Sequence, residues 1–305
     1  MKTNEFMYQL YKKSFKTHIH KYEDNSECTF FYKTLKKNTK SVIWVHGFND
    51  YFFHFHISNI LLDKGYNFFS ISLRNYRNDE KLFYTNDLSE YIIDIEQLIE
   101  YILNNYYSEK IILYGHSMGG LISAIFCKES SHKEKISGVI LNSPFFSFNQ
   151  SIAENFFMNY LVYYLGIMYP KFQIRYLDIK QKNTNSLEIF KRFYFESKYK
   201  LMHIPIIYAG WITTIIYYHS IVQNNFIDLT IPILVFHSDK SIEENKEGGG
   251  DSVLNINDIK KYSKNLGNNL KIVEIKDAVH DVFCSEKEPL SMAIQEMIQW
   301  LEKLS

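Results

Sequence analysis

The segment 111–126, "IILYGHSMGGLISAIF", joins two apolar runs through a serine between glycines. The first run ends at Tyr114 and has the composition of a buried strand, whereas the second, from Leu121, has the spacing of a helix. Ser117 therefore falls on a strand-to-helix turn, where the flanking glycines leave room for tight backbone. A strand followed directly by a helix is the repeating unit of an α/β fold. The turn would expose the Ser117 hydroxyl at the amino terminus of the helix, which predicts a nucleophile.

Strand-like and helix-like periods alternate on both sides of this segment. Apolar residues recur at spacings of three and four over 87–104, which predicts an amphipathic helix. Further strands are predicted by short apolar runs, and further helices by periodic ones: a hairpin at 17–34, strands at 41–48, 67–73, 110–115, 136–145, 231–239 and 270–275, and helices at 119–127, 257–266 and after Pro289. We therefore predict an α/β fold whose mostly parallel sheet carries helices on both faces.

Residues 147–229 interrupt this alternation after the sixth predicted strand. They are rich in aromatic residues, helical in pattern and without a clear strand. An insertion at that point lies beyond the carboxyl ends of the strands, where ligands bind in such folds. We predict a core formed by 1–146 and 230–305 and a helical cap, or lid, formed by 147–229. The aromatic candidates for lining a pocket are Phe156, Phe157, Tyr160, Tyr163, Tyr164, Trp211 and Tyr217, and the sequence does not separate them.

Composition excludes several classes of partner. Lys+Arg and Asp+Glu both number 34, so the formal net charge is zero and no basic patch for nucleic acid is expected. The three cysteines are far apart and form no CxxC pair, which favours a reducing compartment and argues against a thiolate metal site. With no signal-peptide pattern at the amino terminus, the sequence predicts a cytoplasmic protein.

One uncharged stretch, 201–222, is long enough to raise the question of a membrane span. Pro205, Gly210 and two histidines interrupt it. We therefore predict no integral membrane span.

A serine hydroxyl is a poor nucleophile unless a base accepts its proton, so a histidine is required near the same edge of the sheet. Of the eleven histidines, His280 fits best, because it lies five residues after the predicted strand 270–275. His46 adjoins a glycine at another strand end and is expected to order the loop backbone. His116 directly precedes Ser117 and is expected to point away from it.

The third member of such a triad is a carboxylate that orients the imidazole and stabilises its charged form. Asp239 directly follows the strand 231–237, whereas Asp251 follows the charged, glycine-rich loop 243–250. Compactness favours Asp239, and both remain candidates. The oxyanion of an acyl-transfer reaction also needs two backbone donors, for which the N–H groups of Met118 and Phe48 are predicted.

The ordered motifs resemble those of α/β-hydrolases, and more narrowly those of the serine aminopeptidase and monoacylglycerol lipase or lysophospholipase group. The motifs are "VHGF" (45–48), "GHSMGG" (115–120), "IPILVFHSD" (231–239), "DSVLNINDI" (251–259) and "VHDVF" (279–283). They occur in the order of that group and cover nearly the whole chain from residue 41. In the group the acid usually lies in a short segment that follows the seventh strand and opens the next helix. The resemblance therefore favours Asp251 over Asp239.

The resemblance and the residues together predict a serine hydrolase of carboxylic esters with an apolar acyl or aryl part, free of metal and cofactor. The partner is a small-molecule ester, and the oligomeric state is left open. The first alternative is a serine aminopeptidase of the proline-releasing kind, whose cap needs an acidic group to hold the substrate amine. The candidates for that group are Glu154, Asp178, Glu188 and Glu196. The second alternative is a non-catalytic binding protein with this fold, which would be expected to lack a triad member.

Overall fold

The order of strands and helices along the chain is close to the order predicted from the spacing of apolar residues. A computed structural model describes residues 9–35, 39–76, 84–85, 87–106, 108, 110–148, 156–174, 193–194, 196, 206–224, 227–243 and 248–304. The strands are β1 (Lys16–Lys21), β2 (Glu27–Lys33), β3 (Lys40–Val45), β4 (Asn67–Ser72), β5 (Lys110–His116), β6 (Ile136–Asn142), β7 (Gln173–Ile174), β8 (Ile207–Tyr208), β9 (Ile233–Ser238) and β10 (Leu270–Ile275). The helices are α1 (Phe55–Asp63), α2 (Ser89–Asn105), α3 (Met118–Glu129), α4 (Phe156–Met168), α5 (Ala209–Gln223), α6 (Ile256–Ser263) and α7 (Lys287–Lys303).

An eight-stranded sheet forms the centre, in the order β1-β2-β4-β3-β5-β6-β9-β10. The predicted hairpin is confirmed, because β1 pairs antiparallel with β2, and β2 pairs antiparallel with β4. All other neighbours in this sheet are parallel. The central strands β4, β5 and β9 are buried nearly end to end, as expected for strands that helices cover on both faces.

The sheet separates two clusters of buried apolar side chains, one on each of its faces. Apolar residues of α2, α3 and α6 pack on one face, and those of α1 and α7 pack on the other. The parallel strands all end at one edge, so the segments that follow β3, β5, β6, β9 and β10 gather there. This arrangement confirms the predicted α/β fold.

Residues 147–229, called the inserted segment below, differ from the prediction in one respect. They were expected to contain no strand, but Gln173 pairs antiparallel with Tyr208 and Ile174 with Ile207. Strands of two residues are too short to show an alternating pattern, so this pairing has no signal in the sequence. Most predicted boundaries are also shifted by one to three residues; the predicted strand 41–48, for example, ends at Val45.

The inserted segment contacts the rest of the chain on both faces of the sheet. Trp211 and Ile215 of α5 belong to the core cluster that contains α3. Phe193 and Tyr194 pack against the other cluster. In the described part of the chain, no helix has both the length and the apolar character needed to cross a bilayer; residues 201–205 of the stretch in question lie outside it.

A buried ion pair fixes the turn after β4 to α2. The Asp94 carboxylate is fully buried and accepts hydrogen bonds from Arg74 Nε (2.8 Å), the Arg74 backbone N–H (2.8 Å) and the Tyr22 hydroxyl (2.6 Å). We expect Asp94→Asn to lower the free energy of unfolding by about 3–5 kcal/mol, because it leaves a buried guanidinium without its counter-charge. Urea denaturation measures this loss.

The matched control is Glu302→Gln, which removes an exposed pair with Lys64 (2.8 Å). We expect it to cost about 0–1 kcal/mol, since water screens that pair. Equal losses for the two variants would contradict a special contribution of the buried pair.

Candidate active site

Ser117 lies on a strained turn between β5 and α3. Its backbone has φ 52° and ψ −117°, in the left-handed region that residues other than glycine rarely occupy. The turn is held by the Ser117 N–H, which donates to the Asn142 carbonyl (2.9 Å), and by the Ser117 carbonyl, which accepts from the Phe145 N–H (3.0 Å). A Cβ at Gly119 would strike the carbonyl oxygens of Val45 and His46. The glycine is therefore needed so that α3 can approach β3.

His280 and Asp251 form a hydrogen-bonded pair at the same edge of the sheet. Nδ1 of His280 donates to Oδ2 of Asp251 over 2.9 Å. The other carboxylate oxygen accepts from the N–H groups of Val253 (2.8 Å) and Leu254 (2.9 Å). Burial raises the pKa of Asp251, but His280 and these two N–H groups more than offset it, so the pKa lies below its ordinary value. The carboxylate is ionised at neutral pH and fixes a proton on Nδ1, which leaves Nε2 to act as a base.

The loop after β9 folds back on itself and so carries Asp251 to this position. The Asp251 N–H donates to the Lys240 carbonyl (2.9 Å), and the Ile242 N–H donates to the Asp251 carbonyl (2.9 Å). A residue twelve positions beyond Asp239 is thereby brought back to the end of β9. The Gly250 N–H also donates to the Ala278 carbonyl (2.8 Å), which ties this loop to the one that bears His280.

Asp239 has a different role in the structure. Its Oδ1 accepts from the Asp277 N–H over 2.8 Å and supports the turn after β10. It makes no contact with His280 among the described hydrogen bonds and ion pairs. The geometry therefore supports Asp251 as the partner of His280.

Ser117 and His280 are brought to the same edge but are not hydrogen-bonded to each other in the described structure. The ring of His116, the residue before Ser117, lies 5.0 Å from the His280 ring. The end of β5 thus places the His116 ring against His280; its expected direction away from Ser117 stays a prediction. Hydrogen bonds between nucleophile and base are often long before substrate binds and shorten in the complex.

Both predicted oxyanion donors belong to segments that adjoin Ser117. Met118 opens α3, so its N–H points out of the first helical turn. Gly47, which precedes Phe48, lies against Ser117, since a Cβ on Gly47 would come within 3.1 Å of the serine Cβ. His46 orders this loop as expected: Nδ1 donates to the Gly47 carbonyl (2.8 Å) and Nε2 accepts from the Leu73 N–H (3.2 Å).

Aromatic side chains from the inserted segment and from the core meet beside this site. The ring of Trp211 on α5 lies 4.7 Å from that of Phe48. His219, also on α5, bonds the Phe145 carbonyl through Nε2 (2.9 Å), and burial lowers its pKa to about 3. His219 is thus a neutral contact between α5 and the segment that follows β6. Of the other aromatic candidates, Tyr164 and Tyr217 are exposed.

Glu196 is the one acidic cap candidate that lies within the described residues; Glu154, Asp178 and Glu188 lie outside them. It forms an ion pair with Lys12, and its N–H donates to the Tyr51 hydroxyl (2.5 Å). Its carboxylate is therefore already engaged by a cation of this chain.

Among the residues that the structure describes, two sets of side chains offer atoms of metal-ligand type within 4.8 Å of one another, and both include Asp281. They are His54, Asp281 and Cys284, and Asp50, His116 and Asp281. The Asp281 carboxylate already accepts hydrogen bonds from His54, Asn142, the Phe283 N–H and the Cys284 thiol. These donors occupy the lone pairs that a cation would need. The sequence did not predict this network, because nothing in the chain's local pattern shows that Asn142 and Asp281 meet.

Comparisons with known proteins bear on the family and the fold. A family model described as serine aminopeptidase, S33, matches residues 36–288. No match is found among curated protein sequences.

Solved structures share the fold at low sequence identity. The chain is similar to a soluble variant of monoglyceride lipase from Saccharomyces cerevisiae, solved with a substrate analogue (TM-score 0.73, 17% identity, 95% of this chain and 97% of that one). It is also similar to the monoacylglycerol lipase of Paleococcus ferrophilus (TM-score 0.66, 19% identity, 90% and 99%). A third similar structure comes from work on carboxylesterases of Nitrososphaera gargenis (TM-score 0.60, 13% identity, 94% and 98%). With the ordered motifs and the family match over most of its length, the chain belongs to the serine aminopeptidase family of α/β-hydrolases.

Proposed function

We propose that this protein is a serine hydrolase that cleaves carboxylic esters through an acyl-enzyme intermediate. Ser117 is the nucleophile, His280 the general base and Asp251 the acid that orients it. The observation that carries the proposal is the buried 2.9 Å contact between His280 and Asp251 beside the strained turn of Ser117. A histidine held by an ionised carboxylate, next to a strained turn that carries a serine, is the arrangement that activates a hydroxyl.

The reaction proceeds in two halves. Nε2 of His280 accepts the Ser117 proton as the hydroxyl oxygen attacks the ester carbonyl, and the N–H groups of Met118 and Phe48 hold the resulting oxyanion. His280 then donates that proton to the alcohol, which leaves. In the second half His280 accepts a proton from water, hydroxide adds to the acyl-enzyme, and the proton returns to Ser117 as the acid departs. No metal or cofactor takes part.

The surroundings of Ser117 favour an apolar acyl or aryl group. Phe145 follows the carboxyl end of β6 and is bonded to the Ser117 carbonyl through its N–H. Its ring lies 5.3 Å from that of Phe148, and Trp211 adds an indole on the side of Phe48. Such aromatic surface gains free energy when it is buried against an apolar substrate.

Residues 147–229 are proposed to act as a cap over this site, with 1–146 and 230–305 as the core. The support comes from α5, which contacts segments that follow two different strands: Trp211 meets Phe48 after β3, and His219 bonds the Phe145 carbonyl after β6. An element that reaches across both strand ends lies where a cap must lie to exclude water from the reaction.

Ester preference is tested by assaying the purified protein on p-nitrophenyl acyl esters of increasing chain length and on proline p-nitroanilide. We expect a higher kcat/KM on the esters, with a rise from acetyl to longer acyl chains, because the aromatic surface binds added methylenes. The family's name makes the aminopeptidase the second candidate, and a preference for the prolyl amide would support it instead. Ser117→Ala provides the background rate for both substrates.

A further inference from the structure

A buried network of hydrogen bonds lies beneath the candidate site and has no role in the mechanism described above. Its centre is Asn142, the last residue of β6, and Asp281, the residue after His280; both are buried. We propose that Asn142 and Asp281 form a bridge that sets the position of His280 relative to Ser117. The inference deepens the proposed function and rests on it: the two residues are positioning residues for that reaction.

Asn142 bonds to both halves of the site at once. Its backbone carbonyl accepts from the Ser117 N–H over 2.9 Å. Its side-chain Nδ2 donates to Oδ1 of Asp281 over 2.8 Å, and its Oδ1 accepts from the Val282 N–H over 3.2 Å. A single residue therefore connects the turn of the nucleophile, through its backbone, to the segment that directly follows the base, through its side chain.

Asp281 extends the bridge to a third segment. Its Oδ2 accepts from Nε2 of His54 over 2.6 Å, and both side chains are buried. His54 precedes α1 and ends the segment that begins after β3 and contains Phe48. The bridge thus joins the segments that carry the proposed nucleophile, base and oxyanion donor.

The loop of His280 is held from its other side by separate contacts. The Ser238 hydroxyl donates to the Ala278 carbonyl (2.7 Å), and the Val279 N–H donates to the Ser285 hydroxyl (3.0 Å). Asp251 then fixes the ring through Nδ1. These contacts fix the residues that precede His280 and the orientation of its ring. Asn142 holds the segment that follows His280 and links it to Ser117.

Catalysis is sensitive to small displacements of His280 relative to Ser117. A shift of about 1 Å between reacting groups lowers turnover by about 10²-fold, although it leaves substrate contacts in place. Loss of the bridge is therefore expected to act on kcat and to leave KM nearly unchanged.

The test compares Asn142→Ala with the wild-type protein. The variant keeps the backbone carbonyl that Ser117 uses and removes only the two side-chain bonds. We expect kcat on a p-nitrophenyl ester to fall by about 10–100-fold, with KM within about twofold of wild type. The rate of labelling by a fluorophosphonate, which also needs an activated Ser117, should fall in parallel.

Asn142→Asp gives a readout that a purely structural role would not produce. It places two buried carboxyl groups in hydrogen-bond contact, so the pair retains one shared proton. While that proton is present, the new side chain still donates to Asp281 and activity is retained. When the shared proton is lost at higher pH, the two negatively charged carboxylates repel each other and the bridge is broken. We expect a fall of kcat on the alkaline side that the wild-type profile lacks.

The matched control is Asn67→Ala, at the opposite edge of the sheet. Asn67 is also buried, and its Oδ1 accepts from the Leu35 N–H over 2.7 Å. We expect a similar fall in the urea midpoint for Asn67→Ala and Asn142→Ala, but a kcat unchanged from wild type only for Asn67→Ala.

The outcomes separate the bridge from the proposed function. If wild type turns over esters and Asn142→Ala matches it in kcat and labelling rate, the bridge is only structural and the inference is wrong, while the proposed function stands. If wild type neither hydrolyses esters nor reacts with the fluorophosphonate, both proposals are overturned together.

Discussion

Replacement of Ser117 by alanine is expected to lower ester turnover by about 10⁶-fold, since removal of the nucleophile from a serine triad has an effect of that size. No other side chain can replace the serine hydroxyl as nucleophile. The remaining groups can only stabilise the transition state for direct attack by water, which is much slower. Alanine keeps the β-carbon at the strained turn, whose φ of 52° is set by the backbone bonds to Asn142 and Phe145.

Two measurements check this result. Steady-state turnover of a p-nitrophenyl ester gives the fold-change, and labelling by a fluorophosphonate probe reports whether any activated serine remains. Thermal unfolding of the variant should match wild type, which shows that the loss is chemical. Persistent labelling of Ser117→Ala at the wild-type rate would assign the nucleophile to another residue.

Asp251→Asn is expected to lower kcat by about 10³–10⁴-fold, and Asp239→Asn to leave it within about threefold of wild type. The amide at position 251 would donate an N–H to Nδ1 of His280. This bond stabilises the tautomer with its proton on Nε2, so Nε2 can no longer accept the Ser117 proton. Asp239 instead supports the turn at Asp277 through a single bond of 2.8 Å. Its replacement should therefore affect stability more than catalysis.

Since the two aspartates both follow β9, each variant is the matched control for the other.

The dependence of stability on pH gives a second readout for Asp251. Its pKa lies below the ordinary value in the folded protein, so the ionised carboxylate stabilises the fold at neutral pH and this contribution is lost as pH falls through the folded pKa. Asp251→Asn should show a weaker loss of stability on acidification. A larger loss of kcat in Asp239→Asn than in Asp251→Asn would reverse the assignment of the acid.

Short-range patterns were sufficient for much of the fold. Hydrophobic period and glycine placement predicted the strand-to-helix turn at Ser117, because both signals lie within sixteen residues. The order of strands along the chain also predicted which loop ends would gather at one edge, and hence that His280 and an aspartate would lie near Ser117.

The choice between Asp239 and Asp251 shows where such patterns stop. Residue counting from the end of β9 favours Asp239, since it assumes that the chain leaves the sheet directly. The loop instead returns through backbone bonds between Asp251 and both Lys240 and Ile242. These bonds depend on the path of the loop in space, which its composition does not encode.

By itself, the sequence determined the α/β fold, the position of Ser117 on a turn between strand and helix, and the identity of His280 as its candidate partner. Each of these follows from periodicity or from spacing along one segment. The tertiary structure decided that Asp251 contacts His280, that the His116 ring lies against His280, and that Asn142 joins the turn of Ser117 to Asp281. Those contacts join residues up to 164 positions apart, as for His116 and His280, and they exist only because a parallel sheet brings all its carboxyl strand ends to one edge.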